Sequence, residues 1–416
     1  MSVDVRRSIE AVYRIESPRL IAGLTRLVRD VGIAEELAQD ALVAALQQWP
    51  ESGVPDNPGA WLMATAKRRA IDLLRRRSVQ DRKYEQVARE LATAQLRDVE
   101  SVARVDDDLG DDLLRLIFIA CHPVLSTDAR VALTLRLVGG LTTNEISRAF
   151  LVRDSTIAQR ITRAKRTLSE ANVPFEVPSG DDRRARLDSV LEVIYLIFNE
   201  GYSASAGDDW MRPELCTDAL RVGRILAELM PLEPEVHGLV ALMEIQASRM
   251  KARTGPSGEP ILLLEQDRAR WDYLLVRRGF AALARAEELG GAFGPYTLQA
   301  EIAACHARAR RATDTDWARI AALYDALAQI APSPIVELNR AVAVGMAFGP
   351  EAALEVVDAL RDEPTLAEYH LLRSVRGDLL EKVGRHDEAR AAFEEAAALT
   401  RNERERAILR DRASRT

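Results

Sequence analysis

Cysteine and histidine are scarce in this 416-residue chain, with three of the first and five of the second. Cys121, Cys216 and Cys305 are odd in number and far apart, so buried thiols are expected rather than a disulfide framework or a zinc site. The histidines at 122, 237, 306, 370 and 386 are equally scattered. No P-loop, no H-E-x-x-H and no G-x-S-x-G turn occurs, so neither an enzyme nor a cofactor is expected. There is no apolar run of membrane-spanning length, and the N-terminal MSVDVRRSIEAVYRIES has no signal-peptide core. A cytoplasmic protein without a membrane partner is therefore expected. Alternating β-branched runs are also missing, which argues against sheets.

Ala, Leu, Glu and Arg dominate what remains, with Pro and Gly at segment ends, and the expectation is an all-α protein. The length allows two to four domains. The pattern predicts helices over 19–30 and 33–49, joined at Val31-Gly32. Leu37, Ala41, Leu42, Ala45, Leu46 and Trp49 form the apolar stripe of the second, and Glu35, Glu36, Gln39 and Asp40 its opposite face. A turn-rich loop (50–58) leads to a third helix, Trp61 to Arg77, with a densely basic C-terminal end. Residues 85–97 have a weaker helical pattern, and the stretch to Asp112 has the composition of a solvated acidic tether.

The net charge of −7 is unevenly distributed. Residues 1–173 hold 26 Lys+Arg and 24 Asp+Glu (26 − 24 = +2), leaving 31 and 40 for 174–416 (31 − 40 = −9). Lys67 to Lys83 carries eight bases and two acids, whereas Asp98 to Asp112 carries seven acids and one base. Phosphate neutralisation is local, so such stripes matter more for nucleic-acid affinity than the total does. The Asp106–Asp112 spacing does not fit a calcium loop, and an anionic strap is the expectation.

The segment TTNEISRAFLVRDSTIAQRITRAKRTLSEA (142–171) is the most specific motif. A short helix carrying Ile146 and Phe150 is followed by a four-residue turn, Leu151 to Asp154, and a second helix opening at Ser155. That is the layout of a helix-turn-helix, whose second helix enters the major groove. Ser155, Thr156 and Gln159 can reach base edges. Arg153, Arg160, Arg163, Lys165 and Arg166 can reach phosphates as well.

Together these residues resemble the extracytoplasmic-function type of sigma factor in the sigma-70 family. Glu35-Glu36-Leu37-Ala38-Gln39-Asp40 resembles the family's region 2.2, which implies a contact with core RNA polymerase through Glu35, Glu36, Leu37, Gln39 and Asp40. Pro58 to Leu62 with Ala66 to Arg76 resembles regions 2.3 and 2.4. This implies contact with melted −10 promoter DNA through Trp61, Lys67, Arg68, Arg69, Asp72, Arg75 and Arg76. Arg68 stands where the family often has Asn. The helix-turn-helix resembles region 4.2, implying duplex −35 binding. The expected layout is region 2 in 1–84, an acidic linker in 85–112, region 4 in 113–173 and a helical extension in 182–416.

That extension follows a Pro/Gly hinge at 174–180. Asn199, Glu200 and Tyr202 have the look of a site, but a helix end and corner is the favoured reading. Tyr324, Val357 and Phe393 recur at spacings of 33 and 36 residues. Gly377, Leu380, Ala389, Phe393 and Ala396 match a tetratricopeptide pattern, best over 367–400. Such repeats bind protein partners. The arrangement resembles the sigma subgroup with a regulatory C-terminal extension of this kind. The rival reading is a one-component helix-turn-helix regulator with a helical sensor domain, which leaves the basic helix at 67–83 unexplained.

Overall fold

A computed structural model describes residues 3–78, 102–150, 152–204, 211–255, 259–400 and 403–416. The described residues form eighteen α-helices and no strand, apart from one isolated bridge between Thr254 and Pro260. The chain divides into two compact units, 1–196 and 197–416.

In the first unit, α1 (Val3–Val28) packs against α2 (Val31–Ser52), α3 (Pro58–Ser78) and α4 (Val102–Ala120). The α1–α2 joint lies earlier than its sequence suggested, at Arg29-Asp30. Arg29 takes a positive φ of 53°, and the Asp30 carboxylate caps α2 by accepting from the Ile33 N–H at 2.9 Å. Leu20, Leu24, Ala38, Ala41, Trp49, Leu62 and Ala66 are buried between these helices. Then come α5 (Thr127–Leu137), α6 (Thr143–Ala149) and α7 (Asp154–Glu170).

The stretch expected to be a tether through Asp112 is helical from Val102. Asp112 itself is fully buried, ion-paired to Arg26 at 3.2 Å and to Arg115 at 2.6 Å. Composition misled here because the acids occupy the start of a strongly amphipathic helix whose apolar half, Leu113 to Ala120, lies just beyond them. The 79–101 part of the expected linker, including 85–97, lies outside the described residues.

The hinge expectation also shifts. Helix α8 (Gly180–Tyr202) follows the Pro-rich turn, but its early residues belong to the first unit. Arg186 donates to the Phe118 carbonyl at 3.0 Å and Ser189 to the Cys121 carbonyl at 2.7 Å, while Arg130 pairs with Glu192 at 3.0 Å. The first two of these bonds satisfy carbonyls at the C-terminal end of α4 and just beyond it.

In the second unit, α9 (Pro213–Leu229) and α10 (Pro234–Ser248) precede an irregular segment of three short 3₁₀ turns. Then follow α11 (Tyr273–Glu288), α12 (Pro295–Arg308), α13 (Trp317–Ile330), α14 (Pro334–Phe348), α15 (Pro350–Ala359), α16 (His370–Lys382), α17 (His386–Leu399) and α18 (Glu403–Arg415). From α12 onward each helix packs on the next, a succession of helical hairpins. Val357 and Phe393 are completely buried and Tyr324 is half-buried. Gly377 faces Phe393 so closely that an added Cβ would lie 2.8 Å from its ring. Tyr202 ends α8, and its neighbour Glu200 pairs with Arg212. The 199–202 segment is therefore held as a corner.

Candidate nucleic-acid interface

Helix α7 is fixed by residues on both sides of the turn. Thr142 and Glu145 form a reciprocal capping box on α6. Asp154, in the first turn of α7, accepts hydrogen bonds from Ser147 and, at 3.1 Å, from Asn144, both on α6. These bonds, Ser147 foremost, hold the Asp154 carboxyl below the usual range. Asp154 thus sets the angle between the two helices, a role the sequence reading did not assign. Leu151, the first residue of the expected turn, lies outside the described residues.

Ile157, Ile161, Ala164 and Leu168 form the buried stripe of α7. Arg153, Ser155, Gln159, Arg163 and Arg166 are exposed, and Thr156 is half-buried. Among the described residues Arg166 is paired only within its helix, with Glu170 at 3.0 Å. Two expected DNA contacts are otherwise engaged. Arg160 reaches Asp128 at the start of α5, at 2.8 Å, and Lys165 turns back to Glu35.

The Glu35 contact revises the expectation for α2. Glu35 was placed on an exposed face, yet it is 3% exposed. Its carboxylate takes the Arg136 Nε of α5 at 2.6 Å, the Lys165 Nζ of α7, and the Gln39 side-chain amide at 2.7 Å. Burial raises its pKa, but Lys165 and Arg136 outweigh this and hold the carboxyl below 4.5. Leu37 likewise belongs to the core, at 6% exposure, because it lies one turn from Ala41 in the apolar stripe. Glu36 and Asp40 stay exposed and Gln39 is half-buried. A hydrogen bond from Ser169 to Asp30, at 3.2 Å, and the Arg14–Glu145 pair, at 3.5 Å, also join the two halves of the unit. Arg136, which sequence reasoning missed, carries a legible signal: it is a lone charge in the apolar run Val131 to Val138.

Along α3, Leu62, Ala66, Ala70 and Leu74 recur every four residues and are buried. Arg68, Asp72, Arg75 and Arg76 occupy the exposed side, while Lys67 and Arg69 flank it half-buried. Arg69 pairs with Asp40 of α2 at 3.2 Å. Trp61 sits edge-on against Trp49, with ring centroids 5.2 Å apart, so its indole is partly occupied by packing. Asn57 caps α3 by accepting from the Ala60 N–H at 3.0 Å and anchors the preceding loop.

The arrangement is a helix-turn-helix with a polar and basic outer face, beside a three-helix body bearing a second basic stripe. It offers surfaces for phosphates and base edges. Comparison with known proteins agrees. Residues 12–79 match sigma-70 region 2, residues 115–168 match sigma-70 region 4, and residues 186–287 match a family of unknown function. An uncharacterized protein of Rhizobium meliloti (strain 1021) is 42% identical, the match covering 94% of this chain and 92% of that protein. The ECF RNA polymerase sigma factor SigK of Mycobacterium sp. (strain KMS) is 30% identical across 36% of this chain and 76% of its own length. The probable ECF RNA polymerase sigma factor SigI of Mycobacterium tuberculosis (strain ATCC 25618 / H37Rv) is 25% identical across 45% and 67%. No solved structure gives a significant match. With both sigma regions matched in order on the two elements that carry the basic faces, the chain belongs to the extracytoplasmic-function sigma factors of the sigma-70 family.

Proposed function

We propose that this sigma factor binds core RNA polymerase through the outer face of α2, reads duplex promoter DNA with α7 and holds the melted strand along α3. The acidic body after the first unit then controls its activity in cis. The observation that carries the reading is the two-sided character of α7, apolar inward at Ile157, Ile161, Ala164 and Leu168 and polar or basic outward at Ser155, Gln159, Arg163 and Arg166. Such a helix presents base-reading side chains on a rigid support.

On α2 the polymerase contact falls to Glu36, Gln39 and Asp40, with Glu35 and Leu37 acting from inside. On α3 it is Arg68, Arg75 and Arg76 that track the backbone, with Asp72 between them and Lys67, Arg69 and Trp61 alongside. Lys165 and Arg160 join the DNA face when they exchange Glu35 and Asp128 for phosphate. Binding DNA and polymerase would thus separate the two halves of the first unit. The domain limits that go with this reading are 1–84, 85–112, 113–173 and 182–416, with the first residues of the last, those of α8 that pack on α4, serving the first unit. We read the hairpins from α13 to α18 as tetratricopeptide-like and as the seat of a protein partner.

The test is promoter-dependent run-off transcription with core polymerase. Glu36→Lys should weaken core capture with the circular dichroism spectrum unchanged. Equal capture by the variant removes the α2 assignment. A chain that binds promoter DNA unaided and represses is the one-component regulator instead.

A further inference from the structure

The second unit carries a basic cavity to which the proposed function assigns no role. It opens between the irregular segment before α11 and the end of α12, with a volume of about 860 Å³, within the range of small-molecule sites. Five arginines line it (Arg268, Arg277, Arg308, Arg310 and Arg311) against one carboxylate, Asp267. This stands out in a half-chain with nine more acids than bases. Two of the five are committed locally, Arg308 to Glu301 at 2.9 Å and Arg311 to Asp314 at 3.0 Å. Arg277 and Arg310 are exposed and have no carboxylate partner among the described residues.

Arg268 is the built element of the site. It is 8% exposed, and its guanidinium donates to the carbonyls of His306 and, at 2.9 Å, Ala309. Those carbonyls hold it in place without neutralising it. Burial and the nearby Arg249 both disfavour its charge. Its Nε has no hydrogen-bond partner among the described residues, and neither does the Oε1 of Gln266, which is also 8% exposed and lines the same cavity. The neighbouring Trp271 Nε1 and His306 Nδ1 also lack partners among the described residues, but neither residue lines the cavity. Buried polar groups are rarely left so, and Arg268 and Gln266 are the two that line it. Tyr273 and Phe280 add aromatic surface to the lining, with the Arg308 guanidinium 5.4 Å from the centroid of the Phe280 ring.

We propose that this cavity binds a small organic anion carrying a phosphate or carboxylate on a flat, largely apolar body. The anion meets Arg268, Arg277 and Arg310, and the body lies against Tyr273 and Phe280. The cavity is then the input through which the extension senses its signal, a role that rests on the reading that the extension controls the factor.

The probe is phenyl phosphate, titrated calorimetrically into the full-length protein and checked by thermal shift, beside phenol and inorganic phosphate. Phenyl phosphate should bind at least tenfold more tightly than either and raise the melting temperature. Arg277→Ala with Arg310→Ala should weaken it by tenfold or more while leaving the unliganded melting temperature unchanged. Both positions are exposed, so folding does not confound the result. Absent binding, binding no tighter than inorganic phosphate, or equal binding by the double variant overturns the assignment. These readouts need neither polymerase nor DNA. Failure of cis control would show only in transcription and would leave the binding result standing.

Discussion

Glu35 shows how one carboxylate can join two modules. It is buried where α2 meets α5 and α7, and Arg136 and Lys165 converge on it. Both cations are 22% exposed at the side chain, so water takes up part of the loss when the acid is removed. Glu35→Gln should therefore destabilise the first unit by about 1–3 kcal/mol, below the cost of breaking a fully buried pair. Its pKa is lowered on folding, so the stability it contributes is complete above the ordinary 4.5 and is lost as pH falls through the lowered value. Urea melts of wild type and Glu35→Gln should converge in that acid range, and a gap that persists there would refute the linkage. On α7, Arg163 and Arg166 are both exposed but differ in place. Arg163 lies one turn beyond Gln159 in the middle of the helix, and Arg166 about one turn further toward its C-terminal end. Arg163→Ala should cost about 1–3 kcal/mol at one base pair, whereas Arg166→Ala should weaken all sequences alike and lower the salt slope by about 1. Run-off assays over single-base promoter variants separate the two.

At the scale of elements, the helix-turn-helix was legible because three signals coincide there: a short helix with apolar Ile146 and Phe150, a four-residue turn, and a second helix with its bases on one side. The face of α2 was legible only in part. Periodicity placed Glu35 with Glu36 and Asp40, but a charged residue at the edge of an apolar stripe can turn inward when a distant partner waits. Arg136 lies 101 residues away, beyond the reach of any local pattern. The acidic stretch ending at Asp112 failed for the same reason, since Arg26 lies on α1. In the second unit two positions of the expected small-and-large pattern, Gly377 and Phe393, face each other across α16 and α17. Gly377→Ala should force the ring aside and destabilise the second unit by about 1–3 kcal/mol, read as a lowered urea midpoint. A variant as stable as wild type would mean that the two helices part freely.

At the scale of the molecule, the charge of the chain is divided: +2 over residues 1–173 and −9 over the rest, by the counts above. Such a division predicts how the extension acts as well as whether it acts. A chain ending at Leu196 keeps the α8 residues that satisfy Phe118 and Cys121, so the first unit loses none of its own contacts. We expect this truncation to change promoter-dependent transcription. If the acidic body restrains the factor through its charge, the truncated chain is the more active, and the difference narrows as salt shortens the screening length from about 10 Å at 0.1 M toward about 3 Å at 1 M. If the extension instead supplies a contact that initiation requires, the truncated chain is inactive at every salt concentration at which the full chain works. Run-off transcription with core polymerase, titrated with potassium chloride, reads both. Equal activity of the two chains throughout would strip the extension of control.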